Sequence, residues 1–154
     1  MKDLKDHIVE GLKIGAKTKV NTVTYNYHPK TWDELRELIV QLVGERGLKA
    51  DLNDIDTSAI TDMTSMFYRT DFKGDISKWD VSNVKNMMEM FYRSQFNGDI
   101  SEWDVSNVTD MYYMFKDSEF NGDISKWDVS NVKDMRHMFN NSPLQNNPPK
   151  WYKE

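Results

Sequence analysis

One phrase of 24 residues recurs along the second half of the chain without insertion or deletion. Residues 96–115 read FNGDISEWDVSNVTDMYYMF, and nearly the same letters occupy residues 72–91 and 120–139. Residues 48–71 align with the same period as a divergent first copy. A fixed period of 20–50 residues is typical of arrays in which each copy stacks on its neighbours and cannot fold alone.

The apolar residues of one copy fall into two groups with different spacing. Ile76, Trp79 and Val81 have the spacing of the strand in a leucine-rich repeat. Met87 and Met90 recur at helical spacing. We therefore predict a short strand and a short helix in every copy. The predicted fold class is an α/β solenoid, a leucine-rich-repeat-like coil of short parallel strands and short helices.

Each full copy also has one glycine in register, at Gly74, Gly98 and Gly122. We expect this glycine where the chain turns back toward the next strand. A turn of that kind favours a positive φ, which glycine adopts without the steric cost that other residues meet.

The first 47 residues lack the repeat and read as mixed structure. We predict a helix around residues 4–12, a strand around residues 23–27 and a second helix from Thr31 to Gly47, where Thr31 and Glu34 have the spacing of a capping box. The predicted organisation is an α+β N-terminal cap (helix, strand, helix) at 1–47, four repeats at 48–143, and a truncated repeat or C-terminal cap at 144–154.

Composition argues against several classes of partner. The chain has 154 residues with 20 Lys+Arg against 25 Asp+Glu, a net charge of -5, and no basic run, so we expect no nucleic acid partner. The absence of cysteine excludes disulfides and thiolate metal sites. The sequence has neither a membrane-spanning apolar stretch nor the apolar core of a signal peptide, so we expect no membrane insertion and a cytoplasmic location.

Signals for an enzyme or a metal site are weak. The three histidines are scattered, and no phosphate-binding loop or nucleophile elbow occurs. Residues 51–62 have oxygen side chains at spacings like those of a calcium loop, but Asp56 stands where that loop needs glycine, and Ile55 stands at a ligand position. We expect no catalytic residues, no cofactor and no bound metal.

The phrase F-x-G-D-I-S-x-W-D-V-S-N-V-x-x-M-x-x-M-F resembles the BspA-type leucine-rich repeat of bacterial surface proteins, which also occurs in mycoplasma lipoproteins and in phages. The resemblance covers residues 48–154 and rests on the W-D-V-S-N-V and M-x-x-M-F blocks. It implies a right-handed solenoid that acts in binding or adhesion, with no catalytic activity known for the repeat itself. Its relatives are often surface-exposed and then have a signal or lipoprotein sequence.

Two sets of outward residues are candidates for binding a protein. The first set lies beside the tryptophan on the predicted strand face of three copies. It consists of Lys78, Asp80, Ser82, Glu102, Asp104, Ser106, Lys126, Asp128 and Ser130. Its aspartates either accept amides of their own turns or form an acidic stripe for a basic partner or a divalent cation.

The second set is a Tyr-Arg pair that recurs near the end of the first two copies. Later copies have Lys116-Asp117 and Asn140-Asn141 in its place, a change that suits an exposed position and not a core one. Tyrosine and arginine are enriched at binding hot spots, and the alternative is a solvated edge on which arginine stacks on tyrosine. The set consists of Tyr68, Arg69, Tyr92 and Arg93.

We therefore predict non-enzymatic recognition or adhesion through the strand face and the coil edges, by a preformed surface with a low ordering cost. A protein partner is expected, and the ends of the coil could also pair with a second copy of the chain as a homo-oligomer. Two alternatives stay open. One is an intracellular phage or bacterial inhibitor or sponge that sequesters a host protein or small ligand, and the other is a hydrolase with an unrecognised carboxylate pair.

Overall fold

The computed structural model describes residues 23–154, so the helix predicted around residues 4–12 lies outside the described residues. The described part contains one α-helix, α1 at Trp32–Arg46, and a short 3-10 helix at Pro143–Gln145. Neither helix of this part is long and apolar enough to cross a membrane. Instead of strands, it has isolated parallel bridges, and these join Tyr27 to Ile55, Asp51 to Asp75, Asp62 to Asn86, Asn86 to Asp110, and Asp110 to Asp134.

The predicted fold class is wrong. Residues 23–154 contain no sheet and no helix inside the repeats, so the chain is not a solenoid of parallel strands and helices. The physical reason is that each copy closes into short turns. In the predicted strand, Trp79 donates its N–H to the Ile76 carbonyl at 3.2 Å, and in the predicted helix Met90 donates to the Met87 carbonyl at 3.2 Å. Turns of this kind leave no extended run that could pair as a strand.

The copies nevertheless stack in register through backbone hydrogen bonds. Alternate residues of segment 63–69 donate their N–H groups to alternate carbonyls of segment 86–92, with four N···O distances of 2.9 Å. The same pattern joins the second copy to the third and the third to the fourth, at 2.8–3.3 Å. We call this arrangement of copies the stack.

Side chains form two further ladders along the stack. Each tryptophan of the repeats donates its indole N–H to a carbonyl in the preceding copy, as Trp103 does to Ile76 at 3.2 Å. Trp151 continues this ladder to Ile124 at 2.9 Å. The asparagine after the serine does the same, and Asn107 donates to the Ser82 carbonyl at 2.7 Å. These ladders supply cross-copy bonds that a sheet would otherwise provide.

The core consists of apolar columns that run along the stack. The rings of Phe67, Phe91, Phe115 and Phe139 are parallel, with centroid separations of 5.5, 5.5 and 5.9 Å. A second column continues through Phe72, Phe96 and Phe120 at 6.2 and 6.3 Å. The repeated tryptophans and most repeated methionines, isoleucines and valines are buried around them, so the period of the sequence is the period of the core.

The expected role of the repeated glycines is wrong. Among the described glycines only Gly47 has a positive φ, at 89°, where it ends α1. Gly74 and Gly98 are required for space, because a Cβ at Gly74 would collide with the Ala50 carbonyl and one at Gly98 would lie 2.7 Å from the Phe96 ring. Positive φ falls on other residues, namely Ser65, Arg69, Glu89, Arg93, Tyr113, Asp117, His137 and Asn141.

Helix α1 covers the first copy of the stack. Thr31 caps it by accepting the Glu34 N–H at 3.3 Å, as the sequence predicts. Leu35, Ile39 and Leu42 are buried and belong to the same core as the repeats. The predicted strand around residues 23–27 is reduced to the single bridge of Tyr27.

Candidate functional site

The aspartates of the predicted strand face take part in their own turns. Asp104 accepts the Ser106 amide at 3.0 Å and the Ser106 hydroxyl at 2.6 Å through one carboxylate oxygen. Asp80 binds Ser82 at the same distances, and Asp128 accepts the Ser130 amide at 3.0 Å. These hydrogen bonds agree with the first of the two alternatives, in which each aspartate accepts amides of its own turn. The carboxylates remain at the surface.

Electrostatics agree with this geometry. The hydroxyl and the amide of Ser106 lower the pKa of Asp104, and this effect exceeds the opposing effect of the Asp128 charge one copy away. At Asp104, repulsion by the neighbouring carboxylate is thus a smaller effect than the hydrogen bonds that favour the charged form. Lys78, Glu102 and Lys126 occupy one column on the same exposed face. Their charges alternate in sign from copy to copy.

Acid is expected to destabilise the chain through these turns. The hydroxyls and amides of Ser106 and Ser130 hold the folded-state pKa of Asp104 and Asp128 below the ordinary value of 3.8, so in that interval the unfolded chain binds more protons than the folded one. The stabilisation is complete above about pH 5 and is lost as the pH falls through 3.8 and then through the folded pKa. Melting temperatures followed by circular dichroism from about pH 7 to about pH 3 measure it.

The matched control for this prediction is the double variant Asp104→Asn with Asp128→Asn. Asparagine keeps a side-chain oxygen that can accept the turn amides but does not titrate. The variant should therefore lose less melting temperature on acidification than the native chain. An equal loss would show that other carboxylates account for the acid sensitivity.

A row of tyrosines and cations forms a second and different surface. The rings of Tyr68 and Tyr92 are 5.3 Å apart, and Tyr92 and Tyr113 are 6.0 Å apart. A cation stacks on each ring: Arg69 on Tyr68 at 5.3 Å, Arg93 on Tyr92 at 5.1 Å, and Lys116 on Tyr113 at 4.3 Å. We call these six residues the tyrosine–cation edge.

Three of the six edge residues have a left-handed backbone conformation. Arg69, Arg93 and Tyr113 are among the residues with positive φ, at 52°, 54° and 57°. Each still donates its N–H to the next copy, Arg69 to Tyr92 at 2.9 Å for example. The left-handed conformation costs about 1–2 kcal/mol in a residue with a Cβ, so the hydrogen bonds between copies hold the edge in a fixed shape.

Sequence reasoning found four of the six edge residues and missed Tyr113 and Lys116. In the 24-residue register Lys116 stands in the tyrosine column, so the third copy reads as a loss of the pair. In space Lys116 lies over the rings of both Tyr92 and Tyr113, at 5.7 and 4.3 Å. The available signal was the pair Tyr112-Tyr113, which adds aromatic residues in the same copy that loses one.

Charges along the edge are only partly paired. The nearest Arg93 and Asp117 side-chain atoms are 3.5 Å apart. Asp117 also accepts the Asn141 side-chain amide at 2.8 Å, and this bond, followed by Arg93, lowers its pKa. Within residues 23–154, Arg69 and Lys116 form no ion pair with a carboxylate.

Acidic side chains elsewhere do not converge on a common point. In the part of the chain that the structure describes, no group of three acidic or histidine side chains could hold a metal ion. Within the loop at 51–62, Asp54 pairs with Arg46 at 2.9 Å, and Asp56 accepts the Ser58 amide at 3.0 Å. Asp54 thus joins α1 to the first copy, and Asp56 accepts a hydrogen bond within its own turn.

Comparison with known proteins gives one match. A family model described as Mycoplasma protein of unknown function, DUF285, matches residues 37–151. The matched range includes part of α1 and all four copies of the repeat. No curated protein and no solved structure matches the chain.

Proposed function

The chain belongs to the Mycoplasma family of unknown function DUF285, and from that premise we propose that it is a non-enzymatic recognition module that binds a protein through the tyrosine–cation edge. The family description names no activity, so the proposal rests on the geometry of the surface. The resemblance to BspA-type repeats, which implies binding or adhesion, points in the same direction.

The observation that carries the proposal is the continuous row of three tyrosine rings with a cation on each. Ring separations of 5.3 and 6.0 Å join Tyr68 to Tyr92 and Tyr92 to Tyr113, so that the contacts continue across three copies. Tyrosine and arginine dominate the binding energy of protein interfaces because they combine a large apolar area with hydrogen-bonding groups. Here both residue types are concentrated at one edge of the stack.

The edge is also preformed. The backbone N–H groups of Arg69, Arg93 and Tyr113 are bonded to the following copy, those of the other three edge residues are bonded within their own copy, and the cations stack on the tyrosine rings. Binding through such a surface loses less side-chain and loop entropy than binding through a mobile loop. The stack thus supplies a rigid support, and the edge supplies the contact groups.

The other predicted set, which we call the Asp–Ser face, is the weaker candidate; it consists of Lys78, Asp80, Ser82, Glu102, Asp104, Ser106, Lys126, Asp128 and Ser130. Its carboxylates already accept hydrogen bonds from their own turns. Its aspartates and serines also repeat unchanged in the three copies, whereas the residues of the tyrosine–cation edge change along the stack. A partner that binds at one position along the stack needs such differences, because identical copies would allow it to bind in several registers.

A selection from a random peptide display library against the immobilised chain tests this proposal. We expect enriched peptides whose affinity falls by roughly tenfold or more in the double variant Tyr92→Ala with Tyr113→Ala, because hot-spot tyrosines typically contribute that much. Melting temperature checks that the variant is folded. The readout is affinity by fluorescence anisotropy with the selected peptides.

The control variant is Val40→Ala, which removes an exposed apolar side chain on α1. Its affinity for the selected peptides should stay within about twofold of the native value. The proposal fails if no peptide is enriched, or if the enriched peptides bind the native chain and the tyrosine variant equally well.

A further inference from the structure

We infer that the partner segment is acidic and extended, with carboxylates at alternate positions that bind Arg69, Arg93 and Lys116. This inference rests on the proposed function, because it names the chemistry that the tyrosine–cation edge would recognise. It follows from the charge, the orientation and the spacing of the three cations.

Charge is the first step. The chain as a whole has a net charge of -5, yet three neighbouring positions of the edge are cationic. Two of them, Arg69 and Lys116, have no carboxylate partner among residues 23–154. The third, Arg93, has only a 3.5 Å contact with Asp117, whose carboxylate takes a shorter bond from Asn141 at 2.8 Å. Among the described residues, the edge therefore offers three cations against the single nearby carboxylate of Asp117, whose pKa is lowered by the Asn141 amide and also by both Arg93 and Lys116.

Neighbouring carboxylates on the same segment of each copy do not remove this charge. Asp62 accepts the Thr64 amide at 2.8 Å and its hydroxyl at 2.6 Å. Asp110 accepts the Tyr112 amide at 2.9 Å, and Asp134 binds Arg136 at 2.7 Å. Each of these three carboxylates is thus engaged by a residue two positions further along its own copy.

Orientation is the second step. The guanidinium groups of Arg69 and Arg93 lie over tyrosine rings at 5.3 and 5.1 Å, which restrains their position at the edge of the stack. The Nε of Arg93 lies 3.5 Å from the Asp117 carboxylate, whereas Arg69 forms no ion pair within residues 23–154. A guanidinium restrained in this way is suited to bidentate binding of a carboxylate.

Spacing is the third step. Equivalent rings of successive copies are 5.3 Å apart at Tyr68 and Tyr92, and 5.5 Å apart at Phe67 and Phe91. In an extended peptide, side chains on the same side recur about every 6.6 Å. A peptide that runs along the stack would therefore present one carboxylate to each copy, within the reach of flexible arginine and lysine side chains.

A phosphate polymer is a poorer fit than an acidic peptide. The net negative charge of the chain repels a long polyanion over the whole surface. A short acidic segment of a protein would contact the row of cations and little of the negatively charged remainder of the surface. The experiment therefore compares the acidic peptide with an oligothymidylate of similar length.

Fluorescence anisotropy with a labelled peptide of four Glu-Ser units tests the inference at low salt. We expect saturable binding that weakens by roughly tenfold or more in Arg69→Gln with Arg93→Gln, and that weakens with added salt. The matched control is Lys78→Gln with Lys126→Gln, which removes the same total charge from the Asp–Ser face. It should change the affinity by no more than about twofold. Arg93→Lys keeps the charge but loses the planar fork and should give an intermediate affinity.

Three results would overturn the inference. They are equal weakening by the two charge-removing double variants, equal binding of a Gln-Ser peptide, and tighter binding of an oligothymidylate of similar length. Melting temperatures of all variants exclude unfolding as the cause of lost binding. If the display selection yields neutral peptides that still require Tyr92 and Tyr113, the proposed function stands and the acidic partner is wrong. If the selection also fails, both are wrong.

Discussion

Phe91→Ala is expected to lower the free energy of unfolding by about 3–5 kcal/mol, the range for removing a buried aromatic ring from a core. Phe91 is fully buried in the second copy. Its ring stacks on Phe67 and Phe115 at 5.5 Å on either side, and on Phe96 at 4.6 Å. The loss leaves a cavity between two copies that both depend on the contact. Urea denaturation, with the midpoint and slope fitted together, measures the change.

Phe139→Ala is the matched control because the same change is made at the same register position in the last copy. Phe139 is also buried, but it stacks in the phenylalanine column only on Phe115, at 5.9 Å. Its cost should be smaller by about 1 kcal/mol, the value of one aromatic pair. Equal costs at the two positions would contradict the view that stability arises from contacts between neighbouring copies.

Glu89→Val is expected to lower the free energy of unfolding by about 2 kcal/mol, whereas Glu89→Gly should leave it unchanged or raise it by up to about 1 kcal/mol. Glu89 has a φ of 54° in the described structure. A β-branched residue is strained in this region, and glycine is not. The gain from glycine is limited because glycine also loses more backbone entropy on folding. Chemical denaturation of both variants gives the comparison.

The neighbouring position provides the control. Met88 does not have a positive φ, so the order of the two substitutions should reverse there, with Met88→Val more stable than Met88→Gly. The same order at both positions would mean that side-chain contacts, and not backbone conformation, determine the result.

The period of the sequence predicted the core but not the backbone conformation. Trp79 and Val81 alternate with polar residues as in a strand, and both are buried as expected. The polar residues of the same segment indicate turns instead of a strand, because Asp75 and Asp80 each precede a serine by two positions. Each aspartate accepts the amide of that serine, at 2.9 and 3.0 Å. Two such turns within one short segment exclude an extended strand.

The short helix predicted from the repeated methionines was wrong for a similar reason. Met87 and Met90 have helical spacing and are buried. The residue between them that determines the conformation is Glu89, whose positive φ interrupts any helix. Glutamate gives no local signal for that conformation, because it is the hydrogen bond from its N–H to the Tyr112 carbonyl in the next copy, at 2.9 Å, that stabilises it. Contacts between copies thus override the local preference of the sequence.

The candidate site could be predicted in part for a related reason. Tyr92 and Arg93 are adjacent in the chain, and their repetition identified an exposed pair. The contact between Tyr92 and Tyr113 joins different columns of the repeat, at 6.0 Å. Alignment in register compares like positions only, so contacts across columns become visible only in the folded stack.

The indole and asparagine ladders connect each copy to the one that was synthesised before it. Trp79 donates to the Leu52 carbonyl at 2.9 Å and Asn83 to the Ser58 carbonyl at 2.7 Å, so each donor reaches back to a part of the chain that the ribosome has already made. Because chains are synthesised from the N-terminus and can fold as they emerge, each new copy meets a finished row of acceptors. The backbone ladder runs the other way, since alternate N–H groups of segment 63–69 and of its equivalents donate to carbonyls of the next copy and are satisfied only when that copy has been made. The side-chain ladders therefore attach each new copy to the previous one, and the backbone ladder completes the previous copy in return.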